Sequence, residues 1–314
     1  MAAAMTAPEP TSAALHGWLI LDKPLGLGST QAVSAVKRAL REAGHGKLKV
    51  GHGGTLDPLA TGVLPVAIGE ATKLAGRMLD SDKIYAFTIG FGAQTDTLDL
   101  EGPVIATSDV RPTLAQVEAI LPRFTGPIEQ APPVYSAIKI DGQRAYDLAR
   151  AGEEVEMKLR AVTIHSLAIG SCETEGDGEG LASLTLTAHV SKGTYIRSLA
   201  RDIALALDTV GHVTMLRREK AGPFGLENAI SLDNLRDAAN ARAIAQLMLP
   251  LTAGLDDIPA LPVTPEQATA LRQGKTLVGN PRIQGLMLAL EGDTPVALVE
   301  SQGLEMRVVR GFNL

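Results

Sequence analysis

The stretch KVGHGGTLDPLATGVL, residues 49–64, decides how the rest of this sequence can be interpreted. It contains one imidazole, His52, one carboxylate, Asp57, a proline directly after that carboxylate, and a cluster of glycines at Gly51, Gly53 and Gly54. Glycine has no Cβ and accepts positive φ, so such a backbone can approach a ligand closely. Pro58 fixes its own φ and disfavours helical geometry at Asp57. The segment therefore predicts a loop that restrains this carboxylate.

The same residues also have an ordinary structural interpretation. An Asp before a Pro is common in turns, and a glycine cluster can serve only as a tight connection. Taken alone, the segment leaves a catalytic carboxylate and a plain turn as alternatives.

The composition indicates a globular protein with an aliphatic core. The chain has 314 residues, of which 45% are hydrophobic and only 3% aromatic. This length allows one large domain plus a small one, or two domains of ordinary size. Cys172 is the only cysteine, which excludes an internal disulfide and a multi-cysteine zinc site and fits a reducing, cytoplasmic compartment. The histidines lack metal-ligand spacing such as HExxH.

No stretch is long and apolar enough to predict a membrane span. Residues 1–15, MAAAMTAPEPTSAAL, lack the charged and continuous apolar regions of a signal peptide. We interpret them as a disordered tail.

The net charge of −6 argues against a polyanionic partner, because neutralisation of phosphates supplies most of the affinity for RNA. The basic residues are nevertheless segregated along the chain. One group leads into the glycine-rich stretch and a second group follows much later: Lys37, Arg38, Arg41, Lys47 and Lys49, then Arg197, Arg201, Arg217, Arg218 and Lys220. Binding depends on local patches, so RNA stays compatible with the sequence.

Periodicity predicts a mixture of strands and helices. Apolar runs or alternation predict strands at residues 18–21, 63–68, 83–91, 155–171 and 181–190. Helical spacing and capping residues predict five helical regions. Four are given by their starts: near Ser29 as the N-cap, at residue 69, at the capping box of Thr113 and Gln116, and after Gly193. The fifth covers residues 231–248. Asp141 and Gly142 predict a hairpin turn. Residues 250–265 are predicted as a linker, and the tail that follows is rich in short strands.

Residues 51–73, GHGGTLDPLATGVLPVAIGEATK, closely resemble the catalytic motif of the bacterial TruB-type tRNA pseudouridine synthases. Other segments resemble this family as well: DKP at 22–24, the strand and TDT at 83–97, residues 129–153, GTYIR at 193–197 and residues 211–224. The resemblance implies an α+β fold with a mixed, largely antiparallel sheet flanked by helices. It also implies a disordered tail over 1–15, a catalytic domain over 16–250 and a small β-rich PUA-like module over 258–314.

The resemblance implies a role for each of seven residues. Asp57 would be the catalytic carboxylate, Arg197 its ion partner, and Tyr85 a catalytic-site ring that either stacks on the target base or helps to remove its C5 proton. Substrate contacts would come from four further residues: His52, Tyr195, Leu216 and Lys23. Lys23, together with Pro24, could also support the catalytic loop.

Taken without the resemblance, these residues also allow purely structural interpretations. Tyr85 could be a core residue, Leu216 an apolar strand residue, His52 a turn residue and Lys23 part of a core ion pair. Arg197 and Arg201 lie on one helical face, where like charges repel unless anions intervene. Asp57 and an RNA phosphate are the expected anions.

The implied activity is isomerisation of uridine 55 in the T-loop of tRNA to pseudouridine, by a monomer that flips the base out of the RNA. This reaction has no net redox change and no group donor, so we expect no cofactor and no metal. A non-catalytic RNA-binding protein of the same fold is the alternative. A glycosidase normally needs two carboxylates, whereas the loop offers one. A zinc deaminase needs cysteines that are not present.

Overall fold

The computed structural model describes residues 15–136, 138–140, 142–151, 157–176, 178–280 and 282–314. The predicted tail, apart from Leu15, lies outside these residues, as do Asp141 of the predicted turn and residues 155 and 156 of a predicted strand. No helix in the described part of the chain is long and apolar enough to cross a membrane.

The described residues of the first part of the chain form thirteen strands. They are β1 (Gly17–Lys23), β2 (Val50–His52), β3 (Ala60–Ile68), β4 (Lys83–Phe91), β5 (Ala93–Thr95), β6 (Val104–Thr107), β7 (Gly126–Gln130), β8 (Lys139–Ile140), β9 (Gln143–Arg144), β10 (Arg160–Thr174), β11 (Leu181–Val190), β12 (Gly211–Ala221) and β13 (Phe224–Gly225). In β4, for example, Phe87, Ile89 and Phe91 are buried on one face, as expected for a strand with period two.

The helices of the described residues are mostly short. They are α1 (Ser29–Glu42), α2 (Ala75–Asp80), α3 (Leu114–Ile120), α4 (Ala145–Arg150), α5 (Ile196–Ala206), α6 (Leu232–Asn240) and α7 (Pro265–Arg272). The helix predicted from residue 69 is divided, because its first turns, Gly69–Leu74, form a 3₁₀ helix before α2. The capping box of Thr113 and Gln116 is confirmed at the start of α3.

Nine strands of the described part form one sheet, with the order β1-β3-β12-β4-β11-β10-β7 and with β2 and β13 at its sides. Its pairs are antiparallel except for β3 with β12, which run parallel. The predicted mixed, largely antiparallel sheet is therefore confirmed. The parallel pair sets Leu216 beside Ala60, and the next pair sets Leu216 beside Phe87. Because Ala60 follows Asp57 by three residues, this register brings the glycine-rich loop, β12 and β4 together.

The C-terminal strands form a second sheet, with the order β14-β16-β17-β18-β15 and with α7 packed against it. These strands are β14 (Ala260–Pro262), β15 (Leu277–Val278), β16 (Gly285–Glu291), β17 (Thr294–Gln302) and β18 (Glu305–Gly311). The predicted linker at 250–265 is more structured than expected. Its 3₁₀ turn, Leu251–Gly254, packs under Trp18, whose indole N–H donates to the carbonyl of Leu251 at 3.2 Å.

The reason for glycine differs from one position to the next in and after the loop. Of the three clustered glycines only Gly54 has a positive φ, +136°, and a Cβ on Gly51 would meet open space. Gly53 is needed for a different reason, since its Cβ would lie 2.5 Å from Cβ of Met78. Gly62, in β3, has φ +100°, and its Cβ would lie 2.1 Å from the carbonyl oxygen of Arg218. Close contact between the two parallel strands therefore depends on Gly62.

We predict that Gly62→Ala lowers the free energy of unfolding by at least about 3 kcal/mol, because backbone strain adds to a clash with main chain. Gly51→Ala is the matched control, and it should change that free energy by less than about 1 kcal/mol. Urea denaturation followed by circular dichroism measures both. Equal stability of the two variants would contradict the proposed contact.

Candidate active site

Asp57 lies in the loop between β2 and β3, and three buried side chains hold this loop in place. The first is Ser29, the residue predicted as the N-cap of α1. The observed N-cap is Gly28, and Ser29 is the first helical residue instead. Its hydroxyl accepts from the amide of Leu56 at 2.8 Å and donates to the carbonyl of Leu56 at 2.9 Å. Ser29 therefore fixes the residue before Asp57.

The second is Lys23, whose side chain is fully buried. Its ammonium donates to the carbonyls of Leu27 at 2.6 Å, Pro24 at 3.1 Å and Pro58 at 3.3 Å. These partners are carbonyls and not the carboxylate of a core ion pair. Burial lowers the pKa of Lys23 to about 8, although the nearby charge of Asp57 opposes the shift. A fully buried ammonium cannot contact RNA in this conformation, so the structure favours loop support over substrate binding.

The third is Arg218, which the sequence analysis counted only among the basic residues. Its side chain is 1% exposed. The guanidinium donates to the carbonyls of Val63 at 2.7 Å, Gly54 at 3.2 Å and Thr55 at 3.3 Å. Arg218 thus connects β12 to the residues on both sides of Asp57 and is not available to bind phosphate.

The carboxylate of Asp57 pairs with Arg197 of α5. The distance from Nη2 of Arg197 to Oδ2 of Asp57 is 3.0 Å, and the side chains are 8% and 41% exposed, respectively. Arg197 lies in the first turn of α5, where the helix dipole disfavours a cation. The carboxylate offsets both the buried charge and the dipole, while its greater exposure leaves it open to a ligand.

A second carboxylate, Asp99, completes the surroundings of Arg197. Nη1 of Arg197 lies 3.6 Å from Oδ2 of Asp99, and the guanidinium also donates to the carbonyls of Thr97 at 2.8 Å and Tyr135 at 3.0 Å. The hydroxyl of Thr97 in turn donates to Asp99 at 2.6 Å. Leu98, between them, has φ +63°, which is uncommon without glycine and often marks a functional loop.

Arg201, one turn further along α5, does not share this network. It donates to Asp202 at 2.8 Å and to the carbonyl of Ala131 at 3.2 Å. Asp202 therefore supplies an anion to Arg201 within the chain. Arg217 is likewise paired, with Asp22 at 2.8 Å. The first basic group, by contrast, is exposed at every position: Lys37, Arg38, Arg41, Lys47 and Lys49.

A cavity of about 300 Å³ opens above the Asp57–Arg197 pair. Five of the seven predicted site residues line it: Asp57, Tyr85, Tyr195, Arg197 and Leu216. A volume of this size lies at the lower end of the range for ligand pockets. A larger hollow, of about 420 Å³, lies beside Arg77 and Asp257, which are already paired with each other. The predicted residues therefore mark the smaller cavity.

His52 and Lys23 are not among the residues that line this cavity. His52 is half-buried in β2, and its Nδ1 has no partner within the described residues. Burial lowers the pKa of His52, and the charge of Arg218 adds to the effect. The imidazole is consequently held in its neutral form.

The environment of the cavity also shifts two acids toward their neutral forms. Burial raises the pKa of Tyr195, which keeps the phenol protonated. Burial raises the pKa of Glu101, and the charges of Asp99 and Asp57 act in the same direction. Within the described residues, the group with the geometry of metal ligands comprises Asp82, His165 and His189, none of which lines the cavity.

Three residues that organise this site were not predicted from the sequence: Ser29 as a loop clamp, Asp99 and Arg218. Asp99 follows the TDT segment by two residues, so a Thr-x-Asp hydrogen bond was the available signal. Nothing in the local pattern around Arg218 distinguishes a buried arginine from an exposed one.

Two family models match the chain. Residues 37–196 match the N-terminal domain of the TruB family of pseudouridylate synthases, and residues 197–256 match the C-terminal domain of tRNA pseudouridylate synthase B. The boundary between them falls inside α5, directly before Arg197. The second match ends before the predicted module at 258–314.

Curated relatives are similar over nearly the whole chain. Proteins named tRNA pseudouridine synthase B are 63% identical in Novosphingobium aromaticivorans, covering 96% of this chain and 98% of the relative, and 61% identical in Zymomonas mobilis, covering 98% of both. The protein of that name in Caulobacter vibrioides is 47% identical, and the match covers 96% of this chain and 97% of that relative.

Solved structures are similar in fold. A chain in the crystal structure of a Cbf5-Nop10-Gar1 complex has a TM-score of 0.71 and 25% identity, covering 95% of this chain and 85% of that one. A chain in the archaeal box H/ACA sRNP Nop10-Cbf5 complex has a TM-score of 0.67 and 24% identity, covering 95% and 86%. The predicted pseudouridine synthase fold is thereby confirmed.

We predict that Ser29→Ala lowers the free energy of unfolding by about 2 kcal/mol, because it leaves the amide and carbonyl of Leu56 buried without partners. Hydrogen–deuterium exchange of the peptide that contains residues 54–58 should accelerate. Ser34→Ala removes an exposed hydroxyl from the same helix and should change stability by less than about 0.5 kcal/mol, with unchanged exchange in that peptide. Unchanged exchange in Ser29→Ala would refute the clamp.

Proposed function

The chain belongs to the TruB family of pseudouridylate synthases, and from this premise we propose that it isomerises uridine 55 in the T-loop of tRNA to pseudouridine. The reaction breaks the bond between C1′ and N1, turns the detached uracil and joins C5 to C1′. A proton leaves C5 and N1 gains one, so the product is an isomer of the substrate.

One observation carries the proposal: an Asp–Arg pair with a 3.0 Å contact at the base of an open cavity. An ionised carboxylate can attack carbon as a nucleophile, or it can stabilise positive charge that develops at C1′. The guanidinium of Arg197 contacts this carboxylate directly and restrains its position at the cavity. Asp57 is therefore the proposed catalytic residue, and Arg197 orients it.

The walls of the cavity suit a base that has left its stack. Tyr85 lies on β4 and Leu216 on β12, so a ring and an aliphatic side chain flank the space above Asp57. Tyr195, at the N-cap of α5, adds a protonated phenol. A flipped uracil loses its stacking neighbours and regains contact with such side chains. We assign these three residues to uracil binding, and Tyr85 lines the same cavity as Asp57, which also allows it to act on the base.

RNA contacts outside the cavity follow from charge and shape. His52 presents a neutral, flat ring that can occupy the place of a displaced base. The exposed basic residues of α1 and of the segment before β2 supply positive charge next to His52. Lys23 supports the loop from below, as its burial indicates.

We also propose the domain division that the sequence predicted. Residues 16–250 form the catalytic domain, and residues 258–314 form the PUA-like module, whose five described strands make a separate sheet. The protein would act as a cytoplasmic monomer on tRNA.

We predict that Asp57→Asn reduces isomerisation by at least about a thousandfold, because the amide can neither attack C1′ nor stabilise its charge. The measurement is release of tritium from 5-tritiated uridine in an unmodified tRNA transcript. The dissociation constant for the transcript should change by less than about threefold.

Asp22→Asn is the matched control for this experiment. Asp22 is 36% exposed and pairs with Arg217 at 2.8 Å. Its exposure is close to that of Asp57 and its partner is also an arginine, but Asp22 does not line the cavity. It should retain tritium release within about threefold of the unmodified chain. Binding of tRNA without tritium release by the unmodified protein would instead favour the non-catalytic alternative.

For Arg197→Lys we predict a loss of at least about a hundredfold in kcat with little change in tRNA affinity. Lysine keeps the charge, but it cannot reach Asp57, Asp99 and two carbonyls at once. Single-turnover kinetics and filter binding separate the two effects.

Arg201→Lys is the control, since Arg201 lies on the same helix face and does not contact Asp57. Its kcat should stay within about threefold of the unmodified protein. If Arg197→Lys weakened affinity and left kcat intact, Arg197 would be a phosphate clamp and not an orienting group.

A further inference from the structure

A second cluster of functional side chains lies outside the cavity. Asp82 directly precedes β4, His165 lies near the start of β10 and His189 near the end of β11. We call these three residues the His–His–Asp cluster. They are 49%, 36% and 41% exposed, so solvent reaches each of them.

The three side chains converge on one point. Nε2 of His165 lies 3.1 Å from Oδ2 of Asp82, and Nε2 of His189 lies 3.7 Å from the same oxygen. One ligand atom from each residue lies within 4.8 Å of the others. In a tetrahedral zinc site with bonds of 2.0–2.1 Å, neighbouring ligand atoms are about 3.3 Å apart. The separations of 3.1 and 3.7 Å lie on either side of this value, and the two imidazole ligand atoms lie within 4.8 Å of each other.

The backbone explains why two histidines of different strands meet. β10 pairs with β11 so that Ser166 is opposite His189, and the register shifts between Ile164 and Ser166. His165 is the extra residue of this β-bulge, and bulges turn a side chain away from the regular alternation. Its ring comes to lie 4.6 Å from that of His189, centroid to centroid. On the other side of β11, His189 is opposite Ile84, which places Asp82 at the same edge.

We propose that the His–His–Asp cluster binds a divalent transition-metal ion, with Zn²⁺ as the best fit. Two imidazoles and one carboxylate are ligands that zinc prefers, whereas Ca²⁺ and Mg²⁺ require oxygen ligands. Three protein ligands leave a fourth position for water. The linear spacing of the histidines did not reveal this site, because the ligands come together only through strand pairing.

The location of the cluster indicates what the metal does. Lys83 follows Asp82, and Val190 follows His189; both line the cavity above Asp57. The ammonium of Lys83 is bound by the carbonyls of Met78, Leu79 and Ser81, so this turn is already ordered from one side. An ion shared by β4, β10 and β11 would cross-link one wall of the cavity. Its role is stabilisation of that wall and not a step in the reaction.

The nearby charges are compatible with a cation. Lys192 pairs with Asp80 at 3.1 Å, and the salt-bridge partners of Asp82 among the described residues are the two imidazoles.

The test is equilibrium dialysis of the untagged, chelator-treated full chain against Zn²⁺ in excess Mg²⁺. We expect one Zn²⁺ per chain, and a Co²⁺-loaded sample should show visible absorption bands of a low-symmetry site. His165→Ala and His189→Ala should each weaken Zn²⁺ binding by at least about tenfold. Zn²⁺ should raise the unfolding temperature of the unmodified chain but not of the double variant.

His45→Ala is the matched control, because it removes a histidine from a different part of the surface and should retain Zn²⁺ binding. Cys172→Ser, which removes the exposed thiol, should retain it as well. If either histidine variant proved poorly folded without metal, Asp82→Asn would replace it, since the amide keeps the shape of the carboxylate. The proposal is overturned if the unmodified chain binds no stoichiometric Zn²⁺, or if the cluster variants bind it as tightly as His45→Ala. Neither result depends on isomerase activity.

Discussion

The guanidinium of Arg197 is the group on which the site depends. It is almost fully buried, and a buried cation is tolerated only when its hydrogen bonds and its charge are both satisfied. Its partners come from three separate segments: the loop of Asp57, the turn that carries Thr97 and Asp99, and the carbonyl of Tyr135. Each segment must therefore be in place before the charge is neutralised. The same requirement places the carboxylate of Asp57 at the cavity.

The other buried cations at the site have a different role from that of Arg197. Lys23 and Arg218 are buried beneath the loop, but their hydrogen bonds go to carbonyl oxygens. Carbonyls satisfy a cation without neutralising it, so both cations also add positive potential beneath Asp57. Ser29 fixes the backbone of Leu56 by a neutral pair of hydrogen bonds. The loop is thus rigid, while one carboxylate stays partly open to solvent and to substrate.

The cavity and the His–His–Asp cluster share the strands β4 and β11. These strands pair over eight residues, from Ser183 with Gly90 to Val190 with Lys83. The paired region carries Tyr85 at the cavity and ends at the cluster. A change of geometry at the cluster would therefore be transmitted to the wall of the cavity through a continuous hydrogen-bonded ladder and would not need a moving domain.

Local patterns and family resemblance were sufficient for much of this protein. Alternation predicted β4, apolar runs between Gly turns predicted the C-terminal strands, and Thr113 with Gln116 predicted the start of α3, because side-chain period, apolar runs and capping are properties of neighbouring residues. Resemblance, not spacing, connected Asp57 with Arg197. Only the folded chain revealed that Ser29 clamps a loop, that Arg201 and Arg217 are neutralised internally, that Arg218 is buried and that Asp99 joins the ion network. Burial and ion pairing depend on which distant segments come into contact in the folded chain, and a local sequence pattern does not specify those contacts.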